Sequence, residues 1–448
     1  MKVAIVPPDT FEFDSRGRNT AYSLTADGHE VVVLALPGEG LPATEILGSR
    51  VRVVRLDIDR RITSGLRPLP VKARVLVARA IGLDPQATIL PAAPPRGVDR
   101  LRHPVRRLLE LCAHVRRVGP WTDAVVAAAP GTDVFHTETL PALPVVRGAA
   151  RRVGGRYVYD VADYQTEAAR IARLPRLLRA LLRRRERHWA RGAVGLLAVS
   201  EPVATLVADR FGVPKPGLLL NCPPAWRPDE IAPVSNLIRE ALGLPLHRPV
   251  IVHQGHFKLD RGIEELVGAA GHPLIRKLDA AIVFIGTGRL RALLDQAAAQ
   301  RPGQIFVIPA VPPERIVEWV ASADVVYLGF PPRTLNLRLT LPNKLFESMM
   351  AGVPVIADTA TEQGRFVERA ALGRTTNTES ADALAEALYD VLSMSADERE
   401  AMRRHCRSTA LSRYTWQLNH GPLIDLYRRI ADLQGADEDA AARARATA

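Results

Sequence analysis

Leu341-Pro342-Asn343-Lys344-Leu345-Phe346-Glu347-Ser348-Met349-Met350-Ala351-Gly352-Val353-Pro354-Val355-Ile356-Ala357 fixes how the rest of this chain is read. Pro342 turns the chain after a polar stretch, 331–340, that reads as an exposed loop. An apolar-faced helix is predicted from about Asn343 to Met350, Gly352 stops it, and Val353 opens a buried strand. The helix begins with unsatisfied backbone N–H groups beside Lys344, and amide dipoles and ammonium together favour an anion such as a phosphate there. Glu347, one turn in, is placed to accept hydrogen bonds from a ribose. Taken alone, the stretch fits an ordinary αβ unit equally well, and its neighbours decide.

Those neighbours repeat the pattern. Pro249–Gly255 is an apolar strand ending at a glycine, followed by a loop carrying His256, Lys258 and Arg261. Ala280–Gly288 is a strand with a Gly286-Thr287-Gly288 turn, Ile305–Pro309 another, and Trp319–Leu328 a helix and strand. Gly373–Asn377 and a helix over Ala381–Leu392 complete this half. In the first half, Lys2–Val6, a helix over Thr20–Asp27 and the strand Gly28–Leu34 form the opening βαβ of a Rossmann-like domain. The intervening Asp14–Asn19 reads as a polar loop at the carboxyl end of the first strand, where open α/β sheets place ligands. It lacks GxGxxG, which argues against a dinucleotide cofactor. Further strands are predicted at Val51–Leu56, Thr132–His136, Arg156–Val161 and Gly195–Val199, with helices at Val105–Val118, Trp121–Ala129 and Leu206–Phe211. Between them, 59–104 is rich in Arg and Pro, holds one helix (Val71–Ile81), and reads as a variable insertion.

A chain of 448 residues is too long for one ordinary core, and two domains are expected. Hydrophobic content of 47% with 24% charged residues describes a globular chain able to bury sizeable cores. No apolar run reaches the ~18 residues of a membrane helix, and Met1-Lys2 leads straight into a strand without a signal pattern. A cytoplasmic location is therefore expected, with peripheral contact at the inner face of the membrane as the variant to weigh. Cys112, Cys222 and Cys406 have no metal-ligand spacing and read as packing residues; no metal is implied. The net charge of +12 comes largely from arginine clusters, which attract nucleic acid, anionic lipid or phosphorylated small molecules without choosing among them. With no aromatic interleaving or nucleic-acid module, nucleic acid is the weakest of the three. The strongly basic helix predicted at 174–191 could rest on anionic lipid, although a solvated arginine face opposite a leucine face explains it better.

In order and spacing these stretches resemble glycosyltransferase family 4, retaining enzymes of the GT-B fold that use nucleotide sugars. Asp133-Val134-Phe135-His136-Thr137-Glu138 is similar to the family's D-V-V-H-x-H strand end, with Glu138 at the second histidine position. Arg156–Asp163 is similar to V-Y-D-x-H-E, with Ala162-Asp163 replacing His-Glu. Gly255–Gly262 is similar to G-R-L-x-x-x-K-G, with Arg261 at the lysine position and His256 where arginine is usual. The strand ending Gly286-Thr287-Gly288 matches L-x-I-V-G-x-G, and Pro342-Asn343-Lys344 with Glu347 matches P-N-K-x-x-E. The family's paired acid, eight residues before Glu347, is here Leu339, and Asn336 or the N–H groups after Thr340 are the nearest substitutes.

The resemblance implies two Rossmann-like domains facing each other across a cleft: residues 1–225 on the acceptor side, 226–415 binding the nucleotide sugar, a crossover helix at 416–432 returning to the first domain, and a disordered tail at 433–448. It implies a retaining transferase that moves a sugar from a nucleoside diphosphate sugar to a hydroxyl or amine of a small-molecule, glycan or lipid-linked acceptor. A catalytically silent nucleotide-sugar-binding protein is the alternative. His136, Arg261 and Lys258 become catalytic candidates. Gly255, His256, Gly286, Gly288, Val311, Leu341, Pro342, Asn343, Lys344 and Glu347 become donor contacts, and Arg16, Gly17, Glu138 and Asp163 acceptor contacts. No cofactor beyond the co-substrate is implied.

Overall fold

The computed structural model describes residues 1–48, 50–58, 99–172, 174–227 and 236–446. The insertion expected at 59–104, with its helix at Val71–Ile81, lies almost wholly outside the described residues. The chain divides into two compact units, Met1–Thr166 with Arg170–Leu219 and His420–Ala448, and Glu167–Ala169 with Leu220–Asn419.

The first unit is built on an eight-stranded sheet. Its strands are β1 (Lys2–Ile5), β2 (Glu30–Ala35), β3 (Thr44–Leu47), β4 (Val51–Arg55), β5 (Val134–Thr137), β6 (Arg156–Val161), β7 (Gly195–Ala198) and β8 (Gly217–Leu218). They lie in the order β3-β4-β2-β1-β5-β6-β7-β8, parallel except for the edge strand β3. Because β1 pairs with β2 on one side and β5 on the other, the winding reverses between β1 and β5. The apolar runs of the central strands β1, β5 and β6 are buried on both faces, as a parallel sheet covered by helices requires.

The second unit has a six-stranded, wholly parallel sheet. Its strands are β9 (Val250–His256), β10 (Ala281–Thr287), β11 (Ile305–Ile308), β12 (Val325–Tyr327), β13 (Val355–Asp358) and β14 (Gly373–Thr376), in the order β11-β10-β9-β12-β13-β14. Here the winding reverses between β9 and β12. Ile251, Phe257, Phe284, Leu266 and Leu388 form a core between the sheet and its helices. The helix Asn343–Met350 is the one expected, and its seven residues from Lys344 onward are buried.

Several local expectations are corrected. The loop expected at Asp14–Asn19 is the start of a helix, Ser15–Ala26, because the Asp14 carboxylate caps it by accepting from the Gly17 N–H at 2.9 Å. Arg16 and Gly17 therefore sit in a helical turn. The exposed loop expected at 331–340 contains the helix Leu335–Leu339, capped by Thr334, with Asn336 and Leu337 buried. One helix, Asp99–Ala128, replaces the two expected between 105 and 129. The tail expected to be disordered at 433–448 continues the helix Gly421–Ala446. Its Ala, Glu and Arg residues favour helix through backbone propensity even without an apolar face. The buried part of this helix, Leu423, Tyr427 and Ile430, packs within the first unit against β7, β8 and Ser15–Ala26.

Candidate functional site

In the second unit the carboxyl ends of β9 and β12 and the start of Asn343–Met350 converge on one locus. That helix follows Pro342 and has no side-chain cap, so its first N–H groups are left to a ligand or water. Lys344, in its first turn, is buried at 6% exposure. Its Nζ lies 5.1 Å from the centre of the Phe330 ring, and the Arg261 guanidinium lies 4.3 Å from the same ring. Burial, then the charge of Arg261, hold the Lys344 ammonium well below the ordinary lysine range, against the pull of Glu347. Two cations share one aromatic support, and a dianionic group would relieve both.

Glu347 is buried and receives hydrogen bonds from Asn343 Nδ2 at 3.0 Å and Gln254 Nε2 at 3.4 Å. Burial pushes its carboxyl up to about 7, and those two amides and Lys344 only partly offset the push. His256, at the end of β9, is held down to about 4, by burial first and then by Lys258, Arg261 and Arg289. At that value it is neutral near pH 7 and offers an N–H without a charge. Arg333 engages the nearby carboxylates, Asp260 at 3.8 Å, Glu379 at 3.0 Å and Glu265.

Gly286 and Gly288 serve packing here. A Cβ on Gly286 would lie 1.9 Å from the Gly255 carbonyl oxygen, and one on Gly288 would lie 2.5 Å from that of Phe257, so both let β10 close against the β9 loop. Gly255 faces Lys344, whose Nζ would be 3.7 Å from a Cβ there. Leu341 and Pro342 are buried in the turn before the helix, whereas Val311 is half-buried after β11. Leu339 ends the preceding helix, which also holds the buried Asn336. Sequence reasoning missed Arg289, Phe330 and Gln254. Arg289 directly follows the Gly286-Thr287-Gly288 turn, which was the one available signal.

The first unit's switch point is built differently. Arg16 donates through Nε and Nη2 to both oxygens of Asp160, at 2.8 and 2.7 Å, and through Nη1 to the Leu219 carbonyl at 2.9 Å. Both side chains are buried. His136 at the end of β5 is fully buried, 3.1 Å through Nδ1 from Tyr427 Oη, and burial lowers it to about 4. A ring nitrogen of His136 and carboxylate oxygens of Glu138 and Asp160 lie within 4.8 Å of one another. Burial first, then Asp14, Asp160 and Asp9, hold the Glu138 carboxyl well above the carboxylate range. Asp14 is pushed to about 6, chiefly by burial. The structure thus brings Arg16, Glu138 and His136 together with Asp14 and Asp160. Gly17 packs against Phe11, and Asp163 is half-buried in the loop after β6.

Comparison with known proteins bears on both units. Residues 248–394 match the family model described as "Glycosyl transferases group 1". A D-inositol 3-phosphate glycosyltransferase of Xylanimonas cellulosilytica is 31% identical over 155 residues, which are 33% of this chain and 35% of that protein. The chain thus matches about a third of that curated relative's length. Among solved structures, sucrose-phosphate synthase from Thermosynechococcus elongatus superposes with a TM-score of 0.67 at 16% identity, over 97% of this chain and 100% of that one. The Anabaena protein HepE in complex with UDP and glucose superposes with a TM-score of 0.60 at 14% identity, over 97% and 100%. The fold is that of the GT-B glycosyltransferases, and the stretch similar to the group 1 family lies in the second unit.

Proposed function

We propose that the protein is a retaining glycosyltransferase whose second unit binds a nucleoside diphosphate sugar. The observation that carries this reading is the convergence of Lys344, Arg261 and the uncapped start of Asn343–Met350 at one switch point, with Glu347 a turn behind. A diphosphate set there meets two cations and backbone N–H groups, with Lys258 and Arg289 at the neighbouring strand ends. Glu347 would accept from the ribose hydroxyls, and the neutral His256 would donate to a phosphate oxygen. As the glycosidic bond breaks, charge grows on the bridging oxygen of the leaving diphosphate, and fixed cations stabilise that charge more than the ground state. Retention follows if the departing phosphate takes the acceptor proton on the face it leaves. HepE, which also has this fold, is described with UDP and glucose, and this supports a uridine donor as the first to test.

The acceptor would meet the first unit near Arg16, Gly17, Glu138 and Asp163, with His136 behind them. A catalytically silent binding protein is the second reading, favoured by Leu339 where an acid is usual and by Arg16 being already paired with Asp160. Screening nucleotide sugars by thermal shift tests donor binding, since a ligand at a hundred times its Kd adds about 2.7 kcal/mol to stability. Slow donor hydrolysis without acceptor favours the transferase; stabilisation without any turnover favours the silent reading; no stabilisation by any nucleotide sugar sinks both.

No helix among the described residues is long and apolar enough to cross a membrane. We also propose weak contact with anionic lipid through the helix Arg176–Arg191. It leaves Leu177 at 88% and Leu181 at 49% exposure beside Arg184 and Arg185, so its leucine face is not wholly used in the core. Sedimentation with phosphatidylglycerol vesicles, lost in Leu177→Ser/Leu181→Ser, tests it.

A further inference from the structure

The carboxyl-end cluster of the first unit carries more acid than a sugar hydroxyl needs. Asp14, Asp160 and Asp9 all act on Glu138 there, and Arg16 is committed to Asp160 and the Leu219 carbonyl. Arg18, the next cation on that helix, donates to the Glu12 carbonyl at 2.9 Å. Two buried polar atoms of the cluster have no hydrogen-bond partner: Oε1 of Glu138 and Nε2 of His136, whose side chain is wholly enclosed. In the tautomer that donates Nδ1–H to Tyr427, that Nε2 is an acceptor. Unpartnered buried polar atoms in a crowded acidic cluster, where burial and the neighbouring acids keep Glu138 protonated, call for a donor that is also a cation.

We propose that this cluster binds the protonated amine of an amino sugar or aminocyclitol, with Glu138 as the principal acceptor, so that the acceptor substrate is an amine-bearing carbohydrate. The proposal rests on the transferase reading for the word acceptor, but the binding site stands on its own geometry. An ammonium offers three donors and no lone pair, matching Glu138 Oε1, His136 Nε2 and a carboxylate neighbour. A phosphorylated ligand would place like charges together, whereas an ammonium lets the Glu138 carboxyl, held in its protonated form by burial and its acidic neighbours, ionise beside it, which a neutral hydroxyl does not. A divalent metal ion would take an Asp160 oxygen that already accepts from Arg16 and would set a double positive charge beside that buried guanidinium.

The test is calorimetry on the full chain at pH 7.5, with and without UDP. Glucosamine and 2-deoxystreptamine are compared with N-acetylglucosamine and myo-inositol. The amines should bind at least tenfold more tightly than their neutral counterparts, and Glu138→Gln should remove that preference while leaving the circular dichroism spectrum unchanged. Glu138→Asp, which keeps the charge, should retain part of it and serves if the Gln variant does not fold. Equal binding of amine and neutral ligand, no amine binding, or an unaltered preference in Glu138→Gln overturns the proposal. So does stoichiometric Mn²⁺ or Zn²⁺ binding that EDTA reverses and Glu138→Gln abolishes. Nucleotide-sugar stabilisation, read on the same samples, separates the two failures: without it the transferase reading falls while an amine preference still stands, and with it an absent preference sinks this proposal alone.

Discussion

The two sheets reverse their winding in the same way, β1 against β5 and β9 against β12, yet the groups gathered at the two switch points have opposite character. At the first, one arginine is tied to Asp160 within a set of carboxylates. At the second, Lys344 and Arg261 crowd one phenyl ring with Glu347 the acid acting on Lys344. The shared topology fixes where side chains converge and says nothing about their charge. The first switch point holds its charge in a buried bidentate pair; the second sets two cations close enough that, beyond burial, the charge of Arg261 lowers the Lys344 ammonium, with Glu347 and the Phe330 ring as partial offsets. Removing charge should therefore cost stability at the first and function at the second.

The largest effect is expected at the paired site. Arg16→Met leaves the Asp160 carboxylate buried without its bidentate partner, which should cost about 3–5 kcal/mol. Urea unfolding followed through Trp121 and Trp189, both in that unit, measures it. Adding Asp160→Asn should recover much of the loss. A single variant as stable as wild type would remove the contrast between the two sites.

Arg261→Ala should leave stability near wild type but lower turnover by about 10² to 10³, or ~2.7–4 kcal/mol, as for other preorganised donors to a developing anion. Arg261→Lys should recover part, since a cation remains while the planar fork is lost. A change confined to KM would make Arg261 a uniform binding contact.

Glu347 sharpens the comparison through pH. In the native state it keeps its proton up to about pH 7, whereas the unfolded side chain loses it near 4.5. The native state thus binds more protons in that window, so Glu347's stabilising contribution is complete below about 4.5 and lost as pH rises to about 7, about 3 kcal/mol in all. Glu347→Gln should flatten that slope in denaturant midpoints taken from pH 4 to 8, while weakening donor binding at pH 8, where the carboxylate is ionised, about tenfold or more through the lost charged acceptor. An unchanged slope would mean that the carboxylate is already solvated.

How much of this was legible follows the range of each interaction. The second sheet could be read because its strands are short apolar runs closed by glycines, and Asn343–Met350 because Pro342 and Gly352 bracket it. Local caps were readable but overlooked: Asp14 and Thr334 each start a helix where polarity argued for loop. The Arg16–Asp160 pair spans 144 positions and His136–Tyr427 spans 291, and no spacing rule reaches that far. For the same reason, neither the neutrality of His256 nor the elevated Glu347 carboxyl could be read from residue types, since burial sets both.

Lys344→Met tests whether the second site holds its charge against stability. Burial already disfavours this ammonium, so an apolar side chain of similar length should leave the unfolding free energy unchanged or raise it. Affinity for a nucleoside diphosphate should fall by about 1.5–3 kcal/mol, the usual worth of a charged hydrogen bond. Loss of stability would place Lys344 with Arg16 as a structural cation.

The smallest effect is expected at Phe330, which supports both cations of the second site and was not visible in the sequence. The face of a phenyl ring is electronegative, and a cation over it gains about 0.5–1 kcal/mol at a partly exposed site and more when desolvated. With Arg261 at 4.3 Å and Lys344 at 5.1 Å from its centre, the ring offsets part of their mutual repulsion. Phe330→Leu keeps an apolar side chain there and removes the quadrupole, so Arg261 should swing away from Lys344 and meet the diphosphate less well. Donor affinity should fall by about threefold, on the order of one such interaction. The decisive measurement is a double-mutant cycle: Arg261→Ala should cost less affinity in the Phe330→Leu background than in wild type, because the ring positions the guanidinium. Strict additivity would make Phe330 ordinary filling between β12 and the helix, with both cations positioned by other groups.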